Sequence, residues 1–126
     1  MAGECVLIVE DNEKNMKLVR DILQATGYTP IEASSGEQAL TLAAENAPAL
    51  VLMDIQLPDL DGAEALRRLR SDERTAGIPV LALTAQAMQG DRERFLAAGF
   101  DGYLSKPIDV DDLIETVRRF CDGGAG

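Results

Sequence analysis

Five short runs dense in Val, Ile and Leu, each followed by a polar-apolar stretch, constrain this chain more than any other feature of its sequence. The runs Cys5 to Val9, Thr29 to Ala33, Leu50 to Met53, Ile78 to Leu83 and Gly102 to Leu104 have the length and composition of strands. In Val6-Leu7-Ile8-Val9 and Leu50-Val51-Leu52-Met53 the apolarity is unbroken, the pattern of strands covered on both faces and therefore of a parallel sheet. Between the runs, Met16, Val19, Ile22 and Leu23, and later Val110, Leu113, Ile114 and Val117, repeat with the spacing of amphipathic helices. Ser35 and Gln38 have capping-box spacing, Asp109 stands where it would cap the last helix, and Gly27 and Gly99 suit helix C-termini. Strand and helix alternating five times imply right-handed crossovers. The predicted fold is therefore α/β: one doubly wound (βα)5 domain with a five-stranded parallel sheet in the order 2-1-3-4-5.

A length of 126 residues fits one domain, with a core expected over 4–121 and a glycine-rich flexible tail over 122–126. Acids outnumber bases 22 to 12, and the net charge of -10 repels phosphate backbones and anionic membranes, so neither nucleic acid nor a membrane is an expected partner. Histidine is absent, which removes Ser-His-Asp triads, imidazole metal sites and a phosphohistidine on this chain. Cys5 and Cys121 lie far apart in sequence with no C-x-x-C spacing, there is no signal-peptide pattern, and no apolar run nears the ~18 residues of a membrane span. The expected location is the cytoplasm.

In a doubly wound sheet, ligands bind beyond the carboxyl ends of the strands. Here those ends carry Glu10-Asp11-Asn12, Asp54, Thr84-Ala85 and Ser105-Lys106-Pro107. Carboxylates crowded at a sheet edge repel one another unless a cation joins them, and oxygen donors without His or Cys point to Mg²⁺. With such an ion bridging carboxylate and phosphate, Asp54 becomes a candidate nucleophile toward phosphorus. Phosphoryl transfer needs positioning and charge neutralisation, the roles open to Lys106 and Thr84. A cis Lys106-Pro107 bond fits the sequence as well.

On Leu7-Ile8-Val9-Glu10-Asp11-Asn12, Leu52-Met53-Asp54-Ile55-Gln56-Leu57-Pro58 with Asp61-Gly62, Ala82-Leu83-Thr84-Ala85 and Gly102-Tyr103-Leu104-Ser105-Lys106-Pro107, the chain resembles the CheY-like receiver domains of two-component response regulators. Its flavour is nearest to stand-alone regulators of the DivK type or to receivers of hybrid sensor kinases. The resemblance implies a flavodoxin-like fold and a phosphoprotein that takes a phosphoryl group onto Asp54 from a sensor histidine kinase or histidine phosphotransfer protein. It implies Mg²⁺ held by Glu10, Asp11, Asp54 and the backbone carbonyl of Gln56. It further implies phosphoryl oxygens bound by Thr84, the Ala85 N–H and Lys106, and Tyr103 as an aromatic switch responding to Thr84. Gln56 and Gln86 would tune phosphate lifetime. Glu10 stands where many members carry Asp. The domain would catalyse only its own phosphorylation and slow dephosphorylation. It would pass the signal to a downstream protein on the face of the fourth helix, fifth strand and fifth helix, as a monomer or weak dimer.

Other readings fail on spacing or chemistry. Asp59-Leu60-Asp61-Gly62 would put Arg68 at the last position of a calcium loop, where an acid is required, so it reads as a turn before a helix. A haloacid-dehalogenase-type phosphatase needs a second Asp two residues after the nucleophile, and Gln56 occupies that place. A degenerate receiver acting only as a binding module conflicts with the full set Glu10, Asp11, Asp54, Thr84 and Lys106. Glycine-rich nucleotide cradles are missing from the sequence. Met53 and Met88 read as packing residues. Arg67, Arg68 and Arg70 read as a solvated helix face, with a docking patch as the alternative.

Overall fold

The computed structural model describes residues 4–85 and 91–121. In chain order it contains β1 (Cys5–Val9), α1 (Glu13–Ala25), β2 (Thr29–Ala33), α2 (Gly36–Asn46), β3 (Leu50–Asp54), α3 (Gly62–Ser71), β4 (Val80–Thr84), α4 (Asp91–Ala98), β5 (Gly102–Ser105) and α5 (Val110–Cys121). All strand pairings are parallel and the order is β2-β1-β3-β4-β5, as the alternation of runs predicts.

Strand alternation divides the core in two. Leu7, Val9, Val51, Met53, Val80 and Ala82 pack with residues of α2, α3 and α4, including Ala39, Leu66 and Phe95. Val6, Ile8, Leu50, Leu52, Leu81 and Leu83 pack with Met16, Val19 and Leu23 of α1 and with Leu113 and Val117 of α5. The strand residues of both clusters are almost wholly excluded from solvent, which explains the unbroken apolarity of β1 and β3.

Capping follows the sequence with one change. Asn12 accepts from the N–H groups of Lys14 and Asn15, Asp61 from Ala63, and Asp109 from Asp112. Gly27 and Gly99 take positive φ, the left-handed geometry expected of glycine after a helix. Ser35 caps α2 through the Gln38 N–H, but the Gln38 side chain bonds Ser34 rather than returning to Ser35. β4 also starts two residues later than its apolar run. Ile78 spends its N–H on Thr75 and its carbonyl on Arg70, and Pro79 has no N–H to give. The Lys106–Pro107 bond is cis. The expected tail and residues 86–90, with Gln86 and Met88, lie outside the described residues.

Candidate metal and phosphoryl site

The parallel register brings the polar strand ends level. Val9 lies beside Met53, Asp54 beside Leu83, and Thr84 beside Ser105, so Glu10, Asp54, Thr84 and Lys106 follow within one or two residues of a common edge. Backbone bonds carry the order past the strands, since the Glu10 N–H reaches the Ala33 carbonyl and the Lys106 N–H the Thr84 carbonyl at 2.7 Å. β3, β4 and β5 each run one residue beyond their apolar runs, so Asp54, Thr84 and Ser105 close their strands.

Asp54 is buried and uses both carboxylate oxygens. Oδ1 accepts the Gln56 N–H at 2.9 Å and Oδ2 accepts from Lys106 Nζ at 2.9 Å. Lys106 Nζ also lies 2.6 Å from Glu10 Oε1, so one ammonium bridges two carboxylates whose side chains are only 1% and 8% exposed. Glu10 Oε2 accepts the Asn12 N–H, whereas Oε1, although close to the ammonium, is not aligned for a hydrogen bond. Burial, reinforced by the neighbouring Asp54, raises the Glu10 carboxyl above its ordinary range, and Lys106 opposes that rise only in part. For Lys106, burial pulls the pKa down, but the contacts with Glu10 and Asp54 outweigh it and leave the ammonium raised. One charge is thus shared between two buried acids, a set with too little positive charge for its oxygens.

A cation fits that deficit. One carboxylate oxygen from each of Glu10, Asp11 and Asp54 lies within 4.8 Å of the others, Glu10 and Asp54 buried and Asp11 exposed. An all-oxygen donor set with a wet side suits a hard ion such as Mg²⁺, which keeps several waters and uses one or two carboxylates. The cleft above these groups measures about 350 Å³ and is lined also by Asn15, Gln56, Thr84, Ala85 and Lys106. Asn15 escapes sequence reading because only the first turn of α1 carries it there.

Thr84 is buried and Ala85 exposed at the cleft. Tyr103 lies opposite Ala82 on β5, half-buried against the α2–α4 core, with its ring 5.8 Å from that of Phe95 in α4. The sequence-predicted residues therefore fall into two groups: Glu10, Asp11, Asp54, Gln56, Thr84, Ala85 and Lys106 around one cleft, and Tyr103 on the sheet face covered by α4.

The arginine cluster resolves differently. Arg67 and Arg68 are exposed and paired with Glu64, Arg68 also with Glu37, as a solvated face predicts. Arg70 does not share that role: its guanidinium bonds the carbonyls of Ala76, Ile78 and Gly99 and the carboxylate of Asp101, stapling α3 to the starts of β4 and β5. Among the described residues, no helix is long and apolar enough to cross a membrane.

Residues 6–118 match the family described as response regulator receiver domain. The polar-differentiation response regulator DivK of Brucella ovis is 52% identical over 115 residues, spanning 91% of this chain and 94% of the relative. The receiver domain of sensor histidine kinase PA1611 from Pseudomonas aeruginosa, crystallised with a magnesium ion coordinated in its active site cleft, is 39% identical. It superposes with a TM-score of 0.87 and covers 95% of this chain and 98% of that one. The receiver domain of Ssk1 from Saccharomyces cerevisiae, solved with the histidine phosphotransfer protein Ypd1, is 30% identical with a TM-score of 0.89, covering 99% and 93%.

Proposed function

The chain belongs to the response regulator receiver domain family, the phosphoacceptors of two-component signalling, and from that premise we propose that Asp54 is the residue that takes the phosphoryl group. Family members receive this group from a histidine kinase or a phosphotransfer protein. The observation that supports the assignment is the Lys106 ammonium bridging buried Asp54 and Glu10 at the floor of an open, oxygen-lined cleft.

Glu10, Asp11, Asp54 and the Gln56 carbonyl would hold Mg²⁺, which when bound supplies charge neutralisation to the carboxylates and the phosphoryl oxygens. The Gln56 N–H fixes the Asp54 carboxylate plane. A carboxylate oxygen of Asp54 then attacks phosphorus in line. An O–P bond forms as the P–N bond to the donor imidazole breaks, the imidazole leaving with the bonding pair. Lys106 and the Thr84 hydroxyl, with the Ala85 N–H, take up charge on the equatorial oxygens. Gln56 at the second position after Asp54 offers no carboxylic proton, which favours a phosphoacceptor over a phosphatase and leaves only self-phosphorylation and slow dephosphorylation as catalysis.

The phosphoryl group adds a charge of ~-1.5 to -2, for which Thr84 and Lys106 become partners, and Tyr103 follows Thr84. This would shift the population of the α4–β5–α5 face, where a downstream protein reads it. Leu96 of α4 and Val110 of α5 are exposed apolar residues on those elements. A cytoplasmic setting fits the two free cysteines.

Incubation with acetyl phosphate and Mg²⁺, followed by intact mass, tests the reading. The expected result is one added phosphoryl group, lost in Asp54→Asn with the fold retained and absent when EDTA is present. Labelling that persists in Asp54→Asn reassigns the nucleophile.

A further inference from the structure

The loop 55–61 leaves Asp54 and carries Gln56, yet its outer half is fastened to a different part of the chain. Asp59 Oδ1 accepts the Gly36 N–H at 2.8 Å and Oδ2 the Glu37 N–H at 3.0 Å. These are the first two amides of α2, 23 and 22 residues away. Such N–H groups have no partner within their own helix and carry the positive end of its dipole, so a carboxylate is the acceptor they favour. The two bonds hold the Asp59 carboxyl below the usual aspartate range. Beside them Gly36 makes room for Leu60, whose Cβ lies only 2.8 Å from where a Gly36 side chain would begin. At its inner end the loop is closed by the Gln56–Asp61 bridge and by the Gly62 N–H on the Ile55 carbonyl.

We propose that Asp59 is a positioning residue, using the N-terminus of α2 as a fixed post to hold loop 55–61, and with it the Gln56 backbone, in place for the metal beside Asp54. The proposal rests on the reading of that site as an Mg²⁺ and phosphoryl site. Without the Asp59 bonds the outer half of the loop loses its fastening while the inner closure stays, and the ordering entropy then left to metal binding weakens it.

α2 supplies its own control. Ser35 Oγ caps the same helix through the Gln38 N–H, a bond in which loop 55–61 takes no part. Asp59→Ala and Ser35→Ala each remove a cap from α2, so both lower the melting temperature, but only Asp59→Ala releases the loop. Three measurements on the full chain separate the effects: Mg²⁺ titration by calorimetry, amide hydrogen exchange in EDTA, and the labelling rate from acetyl phosphate against Mg²⁺ concentration. For Asp59→Ala we expect Mg²⁺ affinity to fall by about tenfold, amides 55–61 to exchange faster without metal, and the labelling rate to recover at saturating Mg²⁺. Ser35→Ala keeps the parent affinity and loop exchange. Asp59→Asn, which retains an acceptor oxygen, falls between and carries the test if the alanine variant does not fold. Parent-like Mg²⁺ affinity in the Asp59 variants, or an equal loss in Ser35→Ala, overturns the positioning role alone. A parent chain that neither binds Mg²⁺ nor takes label overturns the functional reading and the proposal with it.

Discussion

Gly62 opens α3 against the backbone beside Asp54, the proposed phosphoacceptor, and adding one methyl group there tests how tightly Asp54 is held. A Cβ at Gly62 would lie 2.6 Å from Ile55 Cα, 3.1 Å from the Asp54 carbonyl oxygen and 3.3 Å from the Ile55 carbonyl carbon. Ordinary carbon contacts are ~3.5–4.0 Å, so the shortfall is about 1 Å against main chain that cannot rotate away as a side chain would. Overpacking of this kind costs about 1–3 kcal/mol. For a chain of this size that corresponds to a fall of roughly 5–15 °C in melting temperature. If the strain moves the end of β3 instead, Asp54 shifts from the position the proposed in-line attack requires, and a displacement of ~1 Å at a reacting group costs about 10²-fold in rate. The assay pairs thermal unfolding with the rate of labelling by acetyl phosphate. Gly77→Ala is the reference, because nothing lies within 4 Å of its new Cβ. That variant should be neutral or gain about 0.4–1 kcal/mol. A Gly62→Ala protein that melts and labels like Gly77→Ala refutes the packing argument. One that melts low but labels at the parent rate shows that this wall supports α3 rather than Asp54.

Lys106→Met should destabilise the metal-free protein by about 3–5 kcal/mol in urea unfolding, because it strands two buried carboxylates, and adding Glu10→Gln should restore part of the loss. Without metal, Glu10 contributes stability below its ordinary value of 4.5 and loses it as the pH rises through its raised folded value. The raised Lys106 contribution, by contrast, persists until the pH climbs past its ordinary 10.5 and through its folded value. In EDTA the stability of the parent relative to Glu10→Gln should therefore fall from acid toward neutral pH, and at pH 7 Mg²⁺ at about 100 times its dissociation constant should add ~2.7 kcal/mol to the parent. A metal-independent melting temperature at neutral pH contradicts this. Arg70→Ala should cost about 1–3 kcal/mol and speed hydrogen exchange at the start of β4, because the Ile78 and Gly99 carbonyls lose their guanidinium partner, while Arg67→Ala leaves that exchange unchanged.

Local pattern made much of this legible and long-range contact hid the rest. Val6 to Val9 and Leu50 to Met53 announce strands buried on both faces because a parallel sheet leaves neither face wet, and the order of strands then determines where Glu10, Asp54, Thr84 and Lys106 meet. Asp59 reads as a turn residue because its partners are 22 and 23 positions upstream, a distance at which no sequence window connects a carboxylate to two helix amides. Arg70 is indistinguishable from Arg67 and Arg68 for the same reason, since its acceptors are carbonyls supplied by the start of β4 and the turn before β5. α2 ends at Ala47 with φ 45°, a left-handed cap with no glycine to mark it. The capping box at Ser35 was half legible: its forward bond depends on spacing, while the return bond depends on where the preceding Ser34 lies.

The division of the sheet into two faces bears on how the proposed chemistry reaches a partner. Strand alternation puts Asp54 in line with Leu50 and Leu52, on the side of α1 and α5, whereas Thr84 follows Val80 and Ala82 on the side of α2 to α4, where Tyr103 meets Phe95. Phosphoryl charge on Asp54, as proposed, would therefore arise on one side of the sheet, and the aromatic group expected to respond lies on the other. The two sides meet at the carboxyl edge, where the Thr84 carbonyl accepts the Lys106 N–H while the Lys106 ammonium holds Asp54 and Glu10. In the proposed reaction an incoming phosphoryl group would compete for that ammonium and offer acceptors to the Thr84 hydroxyl in the same step. Thr84 and Lys106 are joined across the β4–β5 junction, so under the proposed chemistry a pull on either would be felt in the packing beneath α4. A signal routed this way would need a tightly packed core and a stiff loop behind Asp54, because slack at the proposed phosphoacceptor would absorb a small displacement before it crossed the edge.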